Sequence, residues 1–145
     1  MPAPKAHVAI DSRSKLFHTV LVSAANVADR DALPYLLHGR ETRVWGDQGY
    51  QGQTAVIRRC APAARDCTNR RYRQGGWIDE SIKAKNRAKA RVRAKVEHSI
   101  GVVKRVFGFQ KVRYRGLAKN LHRLEVTAAL ANLFMVRRQL LRLQG

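Results

Sequence analysis

The chain has 145 residues, a length that predicts one domain with a hydrophobic core. Its 29 lysines and arginines outnumber its 10 aspartates and glutamates, and the formal charge of +19 favours a polyanionic partner. No apolar run approaches the ~20 residues that a membrane-spanning helix needs, and the N-terminus lacks the apolar core of a secretion signal, so membrane and secreted classes are disfavoured.

The first part of the chain predicts short strands and a short helix. Residues 6–22 hold two alternating, β-branched apolar runs around a polar cluster that begins at Asp11, a pattern typical of a β-hairpin. Asn26 or Asp29 is the expected N-cap of a helix that ends before Gly39.

The middle of the chain predicts a strand that leads into an acidic residue. Residues 42–46 form the expected strand, and Asp47 follows at its end. A helix over 54–60 and a short strand within 63–68 are expected next. Glycines allow sharp turns or a close approach to a ligand, although a plain strand-to-helix loop explains them as well. The glycines in question are Gly46, Gly49 and Gly52.

The run NRRYRQGGW, from Asn69 to Trp77, mixes arginines with aromatic residues. Arginines contact phosphates and aromatic rings stack on bases, so the run suits a loop that faces nucleic acid. The alternative is an insertion whose Trp77 folds back into the core. The sequence leaves both interpretations open.

Residues 81–107 predict one long, strongly basic helix. Every odd position from Lys83 to Lys95 is basic, but alanines lie between them and neither glycine nor proline interrupts. Residues 81–145 carry 17 basic and 2 acidic residues, so this is the expected phosphate-binding half. Three cations line the face opposite the apolar stripe: Arg87, Arg91 and Lys95.

Glu97 lies at the edge of the apolar face of this helix. At 100° per residue, Arg93, Lys104 and Glu97 fall at about 0°, 20° and 40°. The neighbouring apolar stripe consists of Val92, Val96, Ile100, Val103 and Phe107. A lone carboxylate between two cations suits a metal-dependent nuclease, whereas an ordinary i,i+4 ion pair of Arg93 with Glu97 is the alternative.

The C-terminal part predicts a turn and a last helix. Gly108 ends the preceding helix, residues 109–115 form a basic aromatic turn, and Asn120 is the expected N-cap of a final helix within 116–143. The spacing of Cys60 and Cys67 matches neither a redox pair nor a zinc knuckle, so we expect free thiols in a cytoplasmic protein.

Together these elements predict an α/β class and a single domain over residues 1–145. Its expected parts are the hairpin, helix and Asp47 strand region (5–67), the basic aromatic loop (68–80), the Glu97 helix (81–107) and the C-terminal helix (116–143).

Two segments resemble bacterial insertion-sequence DDE transposases of the IS-four/IS-five group. The segment from Arg91 to Leu141 carries the family's Arg-x3-Glu-x6-Lys pattern as Arg93, Glu97 and Lys104. The tyrosine that often precedes this arginine by three residues is Ala90 here. The segment KAHVAIDSRSKLFHTVLVSAANVADRDALPYLLHGRETRVWGDQGYQG is similar to the family's central part, with Asp47 in the place of the second catalytic aspartate.

The resemblance implies a truncated ribonuclease-H-like fold, with a mixed sheet that includes an antiparallel hairpin and is flanked by helices. The family's first aspartate precedes the hairpin, where this chain has no counterpart, and Asp11 is interpreted as a turn residue. The chain is therefore expected to be a transposase fragment, either a remnant or a frameshift product, that is poorly active alone.

The resemblance also implies metal-dependent phosphodiester cleavage and strand transfer at insertion-sequence ends, by cut-and-paste transposition. Asp47 and Glu97 are the expected catalytic residues and metal ligands, and Mg²⁺ the cofactor, in a two-metal site that is incomplete here. The DNA-binding residues are expected to be Arg93, Lys104, Arg87, Arg91, Lys95, Arg105, Arg113 and Arg115.

The expected partners are double-stranded DNA, at transposon ends and target, an N-terminal partner from an upstream reading frame, and further copies of the chain on DNA. The alternative function is a non-catalytic basic protein that binds nucleic acid. Counterion release gives any basic surface affinity, so charge does not separate the two functions. Convergence of Asp47 with Glu97 would separate them.

Overall fold

The computed structural model describes residues 3–110 and 114–144. It is a mixed α/β structure whose elements follow one another as β1 (Lys5–Ile10), β2 (Phe17–Ser23), α1 (Asp29–Leu36), β3 (Arg43–Val44), a 3₁₀ turn (Gln48–Tyr50), α2 (Thr54–Cys60), β4 (Arg65–Asp66), β5 (Arg73–Gln74), β6 (Trp77–Ile78), α3 (Glu80–Arg105) and α4 (Leu117–Arg142). In the described part, no helix combines the length and apolar character that crossing a membrane requires.

The chain divides into two compact units. The first comprises Met1–Val27 and Lys95–Gly145, and the second comprises Ala28–Ala94. The expectation of a single domain stays a prediction. The expected single mixed sheet is not formed by the described strands, which make three separate two-stranded sheets. Strands β3, β4, β5 and β6 are only two residues long, shorter than most strands in globular proteins.

The first unit is built on the predicted hairpin. Strands β1 and β2 pair antiparallel, with Val8 opposite Val20, and the turn between them is held by Asp11, whose Oδ1 accepts the backbone N–H groups of Arg13 (2.6 Å) and Ser14 (2.9 Å). Helix α4 packs against β2. The buried core of this unit consists of Phe17, Val22, Val102, Val103, Phe109, Leu124, Ala128 and Ala131.

Two buried or half-buried asparagines tie α4 to its surroundings. The side-chain amide of Asn132 donates to the carbonyl of Phe17 (2.8 Å) and accepts from its N–H (2.9 Å). Asn120 does not cap α4 as predicted, because the N-cap is Gly116. Instead the Asn120 amide, 1% exposed, accepts from the N–H of Tyr114 and donates to the carbonyls of Tyr114 and Gly116. The Asn120 side chain therefore forms hydrogen bonds with the backbone of the turn before α4 and does not cap the free N–H groups at the start of the helix.

The second unit packs α1, α2 and the parallel pair β3 and β4 around Leu33, Val44 and Ile57. Helix α2 has the predicted bounds. The predicted side-chain cap of α1 is wrong: the N-cap is Ala28, and no side chain caps the helix. Asp29 lies in the first turn, where a carboxylate interacts favourably with the helix dipole.

Helix α3 is one continuous helix, as the alanines between its basic residues predict. Asp79 precedes it, and its Oδ1 accepts from the N–H groups of Ser81 and Ile82, both at 3.0 Å. The hydrogen bond from the Ile82 N–H, together with those from the hydroxyl and N–H of Ser81, holds the pKa of Asp79 below its usual value. The buried side chains of the helix are Ser99, Val102 and Val103.

Candidate functional site

Asp47 follows directly on the parallel strand pair of the second unit. The ladder continues past β3 and β4, because the N–H of Cys67 donates to the carbonyl of Val44 (2.8 Å) and that of Asn69 to the carbonyl of Gly46 (2.9 Å). Asp47 is then the N-cap of the 3₁₀ turn, and its Oδ1 accepts the N–H of Gly49 at 2.9 Å. The carboxylate is exposed, and the hydrogen bond from the Gly49 N–H orients it.

Two of the glycines beside Asp47 lie in close contact with neighbouring side chains. A Cβ at Gly46 would lie 3.0 Å from Cδ2 of Tyr50 and 3.3 Å from Cγ2 of Thr68. A Cβ at Gly49 would lie 3.0 Å from Oδ1 of Asp47. A side chain at either position would crowd the turn that orients Asp47 and would require these neighbouring side chains to shift by a few tenths of an ångström.

Asp29 is a second carboxylate on this surface, and the sequence interpretation missed it. Both carboxylates lie close to Gly49. A Cβ built on Gly49 would be 3.0 Å from Oδ1 of Asp47 and 3.9 Å from Oδ2 of Asp29. Burial, together with the charges of Asp29 and Asp47, raises the pKa of Tyr50 to about 12. Asp29 precedes an amphipathic run, a pattern that indicates only a helix start, so no sequence signal joined it to Asp47.

Glu97 lies on the part of α3 that belongs to the first unit. It is exposed, while Ser99 nearby is fully buried and donates its hydroxyl to the carbonyl of Lys15 (2.6 Å), which fixes this turn of the helix. Among residues 3–110 and 114–144, neither Glu97 nor Arg93 has an ion-pair partner within 4.0 Å, so the ion-pair alternative is not found. Within the described part of the chain, Glu97 is thus an exposed carboxylate on α3 with no ion-pair partner within 4.0 Å.

The two acidic residues belong to different units. Asp47 lies in the second unit and Glu97 in the first, so their convergence on one metal ion stays a prediction. Within its own unit, each of the two residues is exposed. Asp47 accepts a hydrogen bond from the backbone of Gly49, and Glu97 lies on helix α3.

The predicted DNA-binding residues that the structure describes are exposed: Arg87, Arg91, Arg93, Lys95, Lys104, Arg105 and Arg115. Arg113 lies outside the described residues. Arg105 turns back onto its own helix, where its Nε donates to the carbonyl of Gly101 at 3.3 Å. The other cations of α3 in this set have no ion-pair partner in the described part of the chain.

The run from Asn69 to Trp77 leads into a small β-hairpin over residues 73–78, where the sequence predicts a loop. Strands β5 and β6 pair Gln74 with Trp77 across Gly75 and Gly76, both of which have positive φ. Two glycines at positive φ are typical of the tightest hairpin turns. Trp77 is 68% exposed, so the alternative that it folds back into the core is wrong.

Trp77 and Trp45, the two tryptophans, should differ in solvent access. In single-tryptophan variants, we expect acrylamide to quench Trp77 (in Trp45→Phe) more strongly than the half-buried Trp45 (in Trp77→Phe). Trp77→Ala should change the free energy of unfolding by less than about 0.5 kcal/mol, because exposed side chains contribute little to stability. Equal quenching of the two residues would contradict the exposed hairpin.

Asp66 connects β4 to α2 through three hydrogen bonds. Its Oδ2 accepts from the Thr54 hydroxyl (2.6 Å), and its Oδ1 accepts from the hydroxyl (2.7 Å) and N–H (2.9 Å) of Thr68. Partial burial opposes ionisation of Asp66, but these hydrogen bonds and the charge of Arg70 outweigh it and lower the pKa below 3.8.

A lowered pKa in the folded state predicts acid sensitivity. The stabilisation by ionised Asp66 is fully present above pH 3.8 and is lost as the pH falls through the lower folded-state pKa. We therefore expect the difference in unfolding free energy between the chain and Asp66→Asn to shrink as the pH falls below 3.8. Thr54→Val, which removes one donor, should move this loss to higher pH. An unchanged acid profile in Asp66→Asn, measured by urea unfolding, would exclude this role.

Comparison with known proteins adds one positive result. A family model described as "Transposase DDE domain" matches residues 2–133, a range that includes both Asp47 and Glu97. No solved structure matches the chain.

Proposed function

Because the chain belongs to the transposase DDE domain family, we propose that it is a catalytic part of an insertion-sequence transposase of the IS-four/IS-five group. Membership of this family implies DNA as the substrate and a divalent metal as the cofactor. The proposed reaction is cut-and-paste transposition, in which phosphodiester bonds at the element's ends are cleaved and the ends are transferred to target DNA. The observation that carries the proposal is the family match across both Asp47 and Glu97.

Asp47 and Glu97 are the proposed metal ligands, and Mg²⁺ is the proposed ion. The donor set fits, because Mg²⁺ prefers carboxylate oxygens and binds one or two of them together with water and phosphate. Metal ions in such sites activate the attacking oxygen and stabilise the leaving oxygen. The chain's part is to hold the two carboxylates: the Gly49 N–H orients Asp47, and a helix turn anchored by Ser99 carries Glu97.

The cations of α3 are proposed to hold the DNA. Arg93 and Lys104 would neutralise phosphates at the transposon end, since both are exposed. Further phosphate contacts are proposed for Arg87, Arg91, Lys95, Arg105, Arg113 and Arg115. Trp77 is exposed on β6, directly after the turn of Gly75 and Gly76 in a hairpin that also carries Arg73, an arrangement that suits stacking on a base.

Asp11 holds the hairpin turn through its carboxylate and is not proposed as a metal ligand; a third acidic ligand is proposed to be supplied by an N-terminal partner. The chain alone would then cleave DNA poorly. An N-terminal partner and assembly of several copies on DNA would complete the enzyme, whose proposed fold is ribonuclease-H-like.

Metal-directed cleavage of the polypeptide tests whether Asp47 and Glu97 share an ion. The chain is loaded with Fe²⁺ in place of Mg²⁺ and treated with ascorbate and hydrogen peroxide, which generate hydroxyl radicals at the bound iron. We expect the main chain to be cut near residue 47 and near residue 97. Asp47→Asn should abolish both cuts, because one shared ion produces them, whereas Asp31→Asn, which removes an exposed carboxylate of the same unit, should abolish neither.

Cuts near only one of the two residues, or cuts near both that survive Asp47→Asn, would contradict a shared site. The remaining function would then be that of a non-catalytic basic protein that binds nucleic acid.

A further inference from the structure

A groove of about 490 Å³ opens in the second unit. One wall is formed by Trp45 and residues 65–70, and the other by the first turns of α3. We call it the basic groove and define it by Trp45, Arg65, Asp66, Arg70, Lys85 and Lys89. Neither Asp47 nor Glu97 lines it. It therefore differs from the proposed metal site.

The two walls of the basic groove are fixed to each other by hydrogen bonds. The side-chain amide of Asn86 on α3 donates to the carbonyl of Arg70 (2.8 Å) and accepts from its N–H (3.3 Å). The ammonium of Lys89 donates to the carbonyl of Thr68 at 2.7 Å. The groove is therefore formed before any ligand binds, which reduces the loss of entropy on binding.

The positive charge in the basic groove exceeds the negative charge of its own residues. Four cations face one carboxylate, that of Asp66, which already accepts three hydrogen bonds from Thr54 and Thr68. In the described part of the chain, none of the four cations has an ion-pair partner within 4.0 Å. Like charges gathered in a groove repel one another, and a polyanion relieves that repulsion.

We propose that the basic groove binds the sugar-phosphate backbone of a DNA strand. The cations lie on both walls, so they suit a chain of phosphates that runs between them. Trp45 adds a half-buried ring on which a sugar or base can pack. This inference rests on the proposed function, which supplies DNA as the partner, and it assigns to DNA contact a surface other than the predicted arginines of α3.

The first test measures how affinity for a DNA oligonucleotide depends on salt. Arg65→Ala together with Lys85→Ala removes two exposed cations whose side chains make no hydrogen bond or ion pair within the described residues. We expect the slope of log affinity against log salt concentration to fall by about two, one for each lost phosphate contact. The matched control is Arg58→Ala together with Arg59→Ala, which removes the same charge from exposed positions of α2 in the same unit and should leave the slope nearly unchanged.

The second test uses Trp45 as a reporter in the Trp77→Phe variant, where it is the sole tryptophan. A DNA strand should quench or shift its fluorescence, and inorganic phosphate at the same total phosphate concentration should not. An equal response to phosphate would identify a small-anion site and overturn the proposal.

The two proposals fail in different ways. Equal slopes for the groove variant and the α2 control, with DNA still bound, would overturn the groove and leave the proposed function standing. A chain that binds no DNA at any salt concentration would overturn the groove together with the proposed function.

Discussion

Replacing Glu97 by glutamine is expected to abolish the proposed strand cleavage while leaving the affinity for DNA intact. Glutamine keeps the size of the side chain but loses the charge that a divalent ion requires. Even a hydrogen-bond partner of a metal ligand contributes about 10- to 100-fold to activity or metal affinity, so we expect the loss of a ligand itself to exceed about 100-fold. Asp47→Asn should have the same effect.

The matched control is Glu125→Gln, which makes the same change on an exposed turn of α4 in the same unit as Glu97. It should keep cleavage near that of the unchanged protein. The measurement is cleavage of DNA that carries the element's ends, with binding measured separately on the same DNA. Cleavage by Glu97→Gln at the level of the control would refute the assignment of Glu97 as a ligand.

Replacing Ile57 by alanine is expected to have the largest effect on stability. Ile57 is 0% exposed and lies with Leu33 and Val44 in the small core of the second unit. The cavity that remains should lower the free energy of unfolding by about 2–5 kcal/mol, whereas Ile57→Val should lower it by only about 0.5–1.5 kcal/mol. Because Val44 is the last residue of β3, loosening this core should also release Asp47 from its fixed position.

Urea unfolding measures these changes. Leu141→Ala serves as the control, because Leu141 is 66% exposed on α4 and its replacement should change stability by less than about 0.5 kcal/mol. Similar values for Ile57→Ala and Leu141→Ala would mean that the core around Ile57 does not hold the second unit together.

Local patterns in the sequence predicted the first hairpin and most of the helices well. The hairpin of β1 and β2, helix α2 and the continuous helix α3 all follow from residues close together in the chain. The helix caps were less predictable. Asparagine is a favoured N-cap residue, but the side-chain amide of Asn120 forms its hydrogen bonds with the backbone of Tyr114 and Gly116 instead. A residue preference for the N-cap position does not predict which of these competing hydrogen bonds forms.

The candidate site was predictable only in part. The family pattern identified Asp47 and Glu97 from their own neighbours in sequence, but Asp29 approaches Asp47 because the 3₁₀ turn contacts α1, a relation that no local pattern contains. The basic groove was missed for a similar reason. Arg65 and Arg70 are separated in sequence from Lys85 and Lys89, and hydrogen bonds from Asn86 and Lys89 bring the two segments together.

The paired hydrogen bonds between Asn132 and Phe17 have a consequence for solubility. Exposed strands with open N–H and C=O groups can template intermolecular pairing, which leads to aggregation. At Phe17 both of these groups are already taken by one amide at 2.9 and 2.8 Å, much as a neighbouring strand would take them. Helix α4 thereby blocks the addition of a strand from another molecule at the start of β2. We expect this to protect concentrated protein from aggregation through Phe17.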